Sequence, residues 1–365
     1  MPVPFAFAGG GRCRFKNFKV YERLSTTGAF APFIRPSPVS ESKSTGGRAS
    51  YTGTMQDMNR RRFVGATLIA GASAPRSLFA AREPDIAFPA EPRARLGVAS
   101  YPFRAFIESS RNRDRDKTKP GMDLKDFPAM VREKYNVRNI EPLDSHFRSL
   151  ETAYLHELRA AIEKAGCHVI NIPVGVNASL YDPDAAKRKV GVDNARKWVD
   201  AAVTLGSPSI RVHIQGVRGV KPDVARTTES LRAIADYGAQ KNIVINLEND
   251  DPHTEDAFFL VKVLEAVKSP YLHGLPDFCN SMLTGNEKYN YDCVAAMFRH
   301  AYNISHVKDS ELDNGKLFRV DVGKTFAIAK AAGYRGYFSM EFEGEGGPYE
   351  GTQKLIDASL KYLSA

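Results

Sequence analysis

Four side chains able to hold a cation or move a proton lie at the ends of successive apolar runs in the second half of the chain. Glu248 follows Val244-Ile245-Asn246-Leu247, and Asp277 follows Leu272-His273-Gly274-Leu275-Pro276. His306 stands inside Ile304-Ser305-His306-Val307-Lys308, and Glu341 follows Gly336-Tyr337-Phe338-Ser339-Met340. Taken singly, a strand-end glutamate reads as a solvated loop acid and His306 as a hydrogen-bonded core histidine. Four consecutive runs ending in metal-competent groups are a stronger pattern. Three converging carboxylates would repel one another unless a cation stood among them. Three carboxylates with one imidazole make a mainly hard ligand set. It suits one divalent metal, Mn²⁺ or Mg²⁺ first, with Co²⁺ or Zn²⁺ also compatible.

Period-two alternation gives these groups a common direction. Asn246 and Glu248 share a face, as do His306 and Lys308, and Ser339 and Glu341, with apolar residues between them. Other candidates surround the four. Arg211 and His213 alternate along Ser209-Ile210-Arg211-Val212-His213-Ile214. His213, nearer the strand end, reads as a substrate hydrogen-bond partner, and Arg211 as structural. Glu141 closes Asn139-Ile140 and either reaches the pocket or pairs with a surface arginine. Lys308 either touches a substrate oxygen or is held by Asp309. Glu343 is the alternative to Glu341 as a ligand. Trp198 reads as core packing on a long helix. Cys13, Cys167, Cys279 and Cys293 form no CxxC pair and read as ordinary thiols.

The elements that must position these residues alternate regularly from Ala94 onward. Expected strands are Leu96–Tyr101, Asn139–Leu143, His168–Val176, Ser209–Ile214, Ile243–Glu248, Leu272–Asp277, Ile304–Lys308 and Gly336–Glu341. The helical patterns between and after them are Asp123–Tyr135, Leu150–Ala165, Asp184–Leu205, Asp223–Gln240, Glu255–Val267, Tyr291–Ala301, Gly323–Ala332 and Thr352–Leu363. Eight strand–helix repeats predict an α/β fold, a (β/α)8 TIM barrel over residues 94–365, with the site at the C-terminal ends of the strands. A doubly wound sheet would carry a glycine-rich loop after its first strand, where this chain has Tyr101-Pro102-Phe103-Arg104.

The chain of 365 residues has a net charge of +9, but the excess is local. Residues 1–81 hold 12 Lys+Arg against 3 Asp+Glu, which leaves 39 of each for the remainder. The barrel segment is neutral, and this argues against a nucleic-acid partner. No apolar run of 18 residues appears, so no stable membrane anchor is expected. Asn59-Arg60-Arg61-Arg62-Phe63-Val64-Gly65 and the short apolar stretch after it resemble a twin-arginine export signal over 58–81, with Ala80 and Ala81 offering a cleavage point. This predicts a periplasmic or extracellular protein. Such a signal belongs at an N-terminus, so translation is expected to start at Met58 or Met55. Residues 1–57, rich in Gly, Ser, Pro and Arg, would then be an upstream extension.

The segments Val244-Ile245-Asn246-Leu247-Glu248-Asn249, Pro276-Asp277-Phe278-Cys279-Asn280, His306-Val307-Lys308-Asp309 and Ser339-Met340-Glu341-Phe342-Glu343-Gly344 resemble the xylose-isomerase-like TIM-barrel superfamily over about Leu96 to Leu363. That group holds sugar-phosphate isomerases and epimerases, ketose 3-epimerases and abasic-site nucleases of the endonuclease IV type. The resemblance implies Glu248, Asp277, His306 and Glu341 as metal ligands, with Glu248 and Glu341 also the acid/base pair. Asn280 stands where many members carry a histidine that contacts substrate or zinc. It takes that substrate-facing place here and sets the chain apart in sugar specificity. The nucleases also carry an Asp-x-His pair after the seventh strand, which this chain lacks. The expected activity is metal-dependent isomerisation or epimerisation of a non-phosphorylated sugar by proton transfer next to a carbonyl. A lyase or hydrolase acting on 3-keto glycosides in the same pocket and a non-catalytic sugar-binding barrel stay open as alternatives.

Overall fold

The computed structural model describes residues 83–364. The readings of 1–57 as an upstream extension and 58–81 as an export signal fall outside the described residues.

Eight parallel strands alternate with eight helices. The strands are Leu96–Ala99, Asn139–Glu141, a third in two pieces (His168–Val169 and Pro173–Val174), Ser209–Val212, Val244–Glu248, Leu272–Leu275, Ile304–Val307 and Tyr337–Met340. The helices are α1 (Phe127–Tyr135), α2 (Thr152–Lys164), α3 (Ala185–Leu205), α4 (Val224–Lys241), α5 (Ala257–Val267), α6 (Glu287–Phe298), α7 (Val322–Ala331) and α8 (Pro348–Leu363). Aspartates cap several of them: the side chains of Asp184, Asp223, Asp256 and Asp321 accept backbone N–H groups at the starts of α3, α4, α5 and α7.

The strands close into a ring, and prolines mark its two weak joints. One hydrogen-bonded run links the first piece of the third strand to the second, first, eighth and seventh strands. Another links the second piece of the third strand to the fourth, fifth and sixth. The third strand breaks just before Pro173, which has no N–H to give a ladder. Ile170 N–H donates to Ile140 on one side of the break and Ile172 N–H to Ser209 on the other, so the strand still bridges both neighbours. Pro276 ends the sixth strand early, yet its carbonyl accepts His306 N–H at 3.0 Å, and Phe278 N–H donates to the His306 carbonyl at 3.3 Å. These bonds join the sixth strand to the seventh and complete the barrel.

Apolar side chains on the outer faces of the strands pack against the helices in one large core that includes Val98, Ile140, Val174, Val212, Leu247, Val307 and Met340. Much of the lumen is polar instead. Asn303 Nδ2 donates to Ser209 Oγ at 2.8 Å, Ser209 Oγ donates to Asn171 Oδ1 at 2.6 Å, and Asn171 Nδ2 donates to Glu141 Oε1 at 2.7 Å. This chain of buried amides and hydroxyls leads up the barrel axis to the site.

Several boundaries depart from the sequence expectations, and helix α1 begins at Phe127, four residues after Asp123. Helix α6 begins four residues earlier than Tyr291, because the Asn286 side chain caps it by accepting Tyr289 N–H at 3.0 Å. Helix α8 begins at Pro348, whose fixed φ suits a first helical turn. A hairpin with arms Ser310–Asp313 and Lys316–Arg319 follows the seventh strand. Its Asn314-Gly315 corner has both φ values positive (49° and 77°), the left-handed pair that two-residue hairpin turns need.

Candidate functional site

Glu248, Asp277, His306 and Glu341 meet at the C-terminal ends of the fifth to eighth strands. Each offers one ligand atom within 4.8 Å of the other three, and all four residues are buried. His306 stands at the centre. Its Nδ1 lies 2.8 Å from Glu248 Oε1 and 3.1 Å from Glu341 Oε2. Its Nε2 lies 3.0 Å from both oxygens of Glu141. One ring nitrogen thus faces the ligand set, and the other is held by a carboxylate from behind, as outer partners hold metal-binding histidines.

Asp277 has its two oxygens divided between roles. Oδ1 accepts the backbone N–H groups of Cys279 at 2.8 Å and Asn280 at 2.6 Å. Oδ2 is buried without a hydrogen bond. Asn249 clamps the backbone here, since its Oδ1 accepts Asp277 N–H at 2.9 Å and its Nδ2 donates to the Asp277 carbonyl at 3.2 Å. Glu248 Oε2 lies 2.9 Å from Arg211 Nε, but off the hydrogen-bonding direction, and is a second buried acceptor without a hydrogen bond. Buried acceptors of this kind are costly.

The electrostatics point the same way. Glu141, Glu248, Asp277, Glu311, Glu341 and Glu343 are all buried or nearly so, against Arg104, Arg211, Lys308 and His306 as cations. Burial pushes the Asp277 carboxyl up to about 7, with Glu248 and Glu341 adding repulsion against the pull of Lys308. Burial opposes a charge on His306, but the carboxylates of Glu141, Glu248 and Glu341 outweigh it and hold the imidazole well above its ordinary range. Burial likewise opposes a charge on Glu341, yet His306 and Lys308 keep that carboxyl below the usual carboxylate range. Excess negative charge, two unbonded carboxylate oxygens and a back-braced imidazole fit a divalent cation held by Glu248, Asp277, His306 and Glu341.

Three residues expected to touch substrate are buried and bonded to the candidate ligands. Glu141 is fully buried and committed to His306 and Asn171. Asn280 is 3% exposed; its Nδ2 donates to Glu248 Oε1 at 3.2 Å and its Oδ1 accepts from Lys308 Nζ at 2.8 Å. Lys308 is 2% exposed and ringed by Glu341 at 3.3 Å, Asp277 at 3.6 Å, Glu311 at 3.8 Å and the close carboxylate of Glu343. Its partners are these carboxylates and Asn280, in place of the expected Asp309. Glu343 pairs with this lysine, and Glu341 is the glutamate that faces His306. Only His213 of the expected substrate contacts stands at the mouth, with its side chain about one-third exposed.

Sequence reasoning missed Asn249, Glu255 and Glu311. Asn249 adjoins Glu248 one residue past the end of the fifth strand, where alternation along the strand no longer gives its direction. Glu255 and Glu311 lie outside the strand ends and carry no periodic signal. The expectation for Trp198 is met: it packs edge-on against Phe147 with ring centroids 5.1 Å apart. Cys167, Cys279 and Cys293 are free and buried.

Fold and site together define a β/α barrel with a carboxylate–imidazole cup at the open ends of its last four strands. The sequence profile of the xylose isomerase-like TIM barrel family matches residues 133–365, more than half of the chain, and the chain belongs to that family. No curated protein matches the sequence as a relative. Among solved structures, a xylose isomerase-like TIM barrel protein from Mycobacterium smegmatis in complex with magnesium superposes with a TM-score of 0.56. It is 16% identical, over 74% of this chain and 97% of that one. D-allulose 3-epimerase from Methylomonas sp. in complex with D-allulose also gives 0.56, at 17% identity over 76% of this chain and 98% of that one. The 3-keto-D-glucoside 4-epimerase of E. coli gives 0.53, at 15% identity over 74% and 98%. At such identities the likeness shows the fold, and several structures sharing that fold are sugar epimerases.

Proposed function

We propose that this protein is a divalent-metal-dependent sugar isomerase or epimerase that moves a proton next to a carbonyl of a non-phosphorylated sugar. The observation that carries this reading is the convergence of Glu248 and Glu341 on one imidazole nitrogen, 2.8 and 3.1 Å away, with an unbonded buried Asp277 oxygen in the same cluster. A divalent cation held by these four groups, Mn²⁺ or Mg²⁺ by ligand hardness, would draw electrons from a sugar carbonyl and acidify the adjacent C–H.

The protein's own groups then supply the proton chemistry. Glu341 is held ionised by His306 and Lys308 against burial, so it stands unprotonated and open to a proton at neutral pH. Glu248 approaches from the fifth strand, three strands around the barrel, and is steadied by Arg211 and Asn280. Carboxylates from such separated strands can address different faces of one carbon, one taking a proton and the other returning one. Lys308 and Asn280 hold both glutamates in place from below. The resemblance of the leader to an export signal supports free sugars as substrates, since phosphorylated sugars are scarce outside the cytoplasm.

The test is incubation of the Mn²⁺-loaded protein with free ketoses in D₂O, followed by NMR. Deuterium enters the carbon next to the carbonyl in the wild type. Glu248→Gln or Glu341→Gln lowers the exchange rate by about 10²–10⁴-fold while the fold persists. Exchange that survives either change at full rate would remove the assigned roles.

A further inference from the structure

A group of hydrogen-bond donors lies at the ends of the first two strands, on the same face of the barrel as the cup. Ser100 directly follows the first strand, and His146 ends the short turn Asp144–His146 after the second. Ala99 pairs with Glu141, and Ser100 N–H donates to the Glu141 carbonyl at 2.9 Å. Glu141 is the carboxylate that braces His306. The Ser100–His146 pair therefore stands one residue further along the strand than the level at which His306 is held.

The bonds of Ser100 fix the proton on His146. Ser100 Oγ accepts Leu143 N–H at 2.8 Å and lies 2.8 Å from His146 Nδ1. Its one hydrogen has no other acceptor among the described residues, so it goes to Nδ1. Burial and the nearby charge of Arg104 keep the imidazole neutral, its pKa pushed down to about 3. A neutral ring whose Nδ1 accepts carries its hydrogen on Nε2, an assignment that follows from the hydrogen-bond network. His146 is 0% exposed, and Nε2 has no hydrogen-bond partner among the described residues. A buried N–H without an acceptor is costly, and a substrate oxygen would satisfy it.

Arg104 offers the complementary charge. Its guanidinium lies over the Tyr101 ring, 4.1 Å from the centroid, and its Nη1 donates to the Tyr101 carbonyl at 3.1 Å. These contacts fix the plane of the group and occupy one end of it. The other edge, Nε with Nη2, has no hydrogen-bond partner among the described residues, and that edge grips a carboxylate through two parallel bonds. The charge of Arg104 bears on His146 and also on Glu343 and Glu341, so it stands within electrostatic reach of both the buried imidazole and the cup.

We propose that Arg104 and His146 form a subsite for a carboxylate, and that the substrate is accordingly a keto sugar acid. In naming that substrate the inference rests on the function proposed above. Every polar atom offered here is a donor: the Nε–Nη2 edge of a charged group and the Nε2–H of a neutral one. A hydroxyl brings a hydrogen that needs an acceptor of its own, whereas a carboxylate brings acceptors only. Arg104 takes the two carboxylate oxygens, and His146 Nε2–H bonds an oxygen of the same substrate.

The test gives matched probes to the full chain loaded with Mn²⁺ in D₂O: D-fructose with D-fructuronate, and D-tagatose with D-tagaturonate. Deuterium exchange is read by NMR as kcat/KM, and binding of the same probes is titrated calorimetrically. The acid of each pair should exchange with a kcat/KM about 10²-fold above its neutral partner, and Arg104→Met should remove most of that ratio. His146→Leu should narrow it by about tenfold, and His146→Gln, which keeps an N–H donor, by less. The wild-type ratio is informative even if a variant does not fold. D-fructose 6-phosphate should exchange no faster than D-fructose; a preference for it over the acids overturns the carboxylate assignment. Equal kcat/KM for acid and neutral partner, or a ratio untouched by Arg104→Met and His146→Leu, overturns the subsite and leaves the proposed function standing. Absence of exchange with every probe overturns that function. The subsite then stands only if the wild type binds the acids about tenfold more tightly than the neutral ketoses and Arg104→Met does not.

Discussion

Lys308 concentrates the electrostatic problem of the site in one side chain. Its ammonium is buried and lies within 3.6 Å of Asp277 and Glu341, two of the residues suited to hold a cation. It therefore stabilises the carboxylates in the absence of metal and competes for them in its presence. Burial opposes its charge, but Asp277, Glu343 and Glu341 outweigh burial and keep it protonated. Lys308→Met should remove both effects. The chelated protein should melt lower than the wild type, because buried carboxylates lose their counter-charge. Mn²⁺ affinity by isothermal titration should rise by about tenfold or more, as expected for removing a like charge a few ångströms away. An unchanged Mn²⁺ affinity would show that the lysine neither shares nor repels the metal.

At the scale of elements, the site depends on how closely helices seat against strands. Gly238 near the end of α4 lies where the chain turns into the fifth strand, and Ile243 N–H donates to its carbonyl at 2.9 Å. A Cβ built on Gly238 would stand 2.4 Å from the Ile243 carbonyl oxygen, with Ile245 at 3.2 Å. Backbone cannot yield as a flexible side chain can, so Gly238→Ala should push α4 away from the strand that carries Glu248. The expected cost is about 1–3 kcal/mol, as for other overpacked cores. Thermal melts would register it, together with a weaker Mn²⁺-induced rise in Tm. A Tm equal to that of the wild type would show that the helix shifts freely. The hairpin after the seventh strand is the other element with a bearing on the site, because it brings Glu311 against Lys308.

For the whole molecule, the excess of buried carboxylates makes stability depend on pH and on metal together. The Asp277 carboxyl is raised by burial from 3.8 to about 7, and that of Glu311 by burial from 4.5 to about 8. The folded protein holds protons that the unfolded chain has already released, so both groups lower stability as pH rises through those windows. His306 acts in the same direction: its raised pKa stabilises the fold below 6.5, and that contribution is lost as pH rises through the folded value. Glu341, depressed by His306 and Lys308 against burial, contributes above 4.5 and loses that contribution as pH falls. The chelated protein should thus be most stable in mildly acidic buffer, with Tm falling steadily from about pH 5 to pH 8. Saturating Mn²⁺ should raise Tm most at the alkaline end and flatten the fall, because a bound ligand stabilises by mass action. A Tm–pH profile that Mn²⁺ leaves unaltered would argue against a cation at these residues.

The barrel was legible because eight apolar runs of strand length alternate with helical patterns, and local periodicity is a property of neighbouring residues. The four-residue cup was legible for the same reason, since each member sits where its own strand ends and the fold brings all strand ends to one face. The roles of Glu141, Asn280 and Lys308 were not. Whether a polar side chain touches substrate or braces a ligand depends on what lies across the barrel. His306 meets Glu141 across 165 positions of sequence, and no local pattern encodes that distance. Glu255 became visible as the partner of His213 only when the loop before α5 folded back over the fourth strand. Composition and spacing determined which chemistry the chain can host; the closure of the ring decided which groups reach the open face and which are buried beneath it.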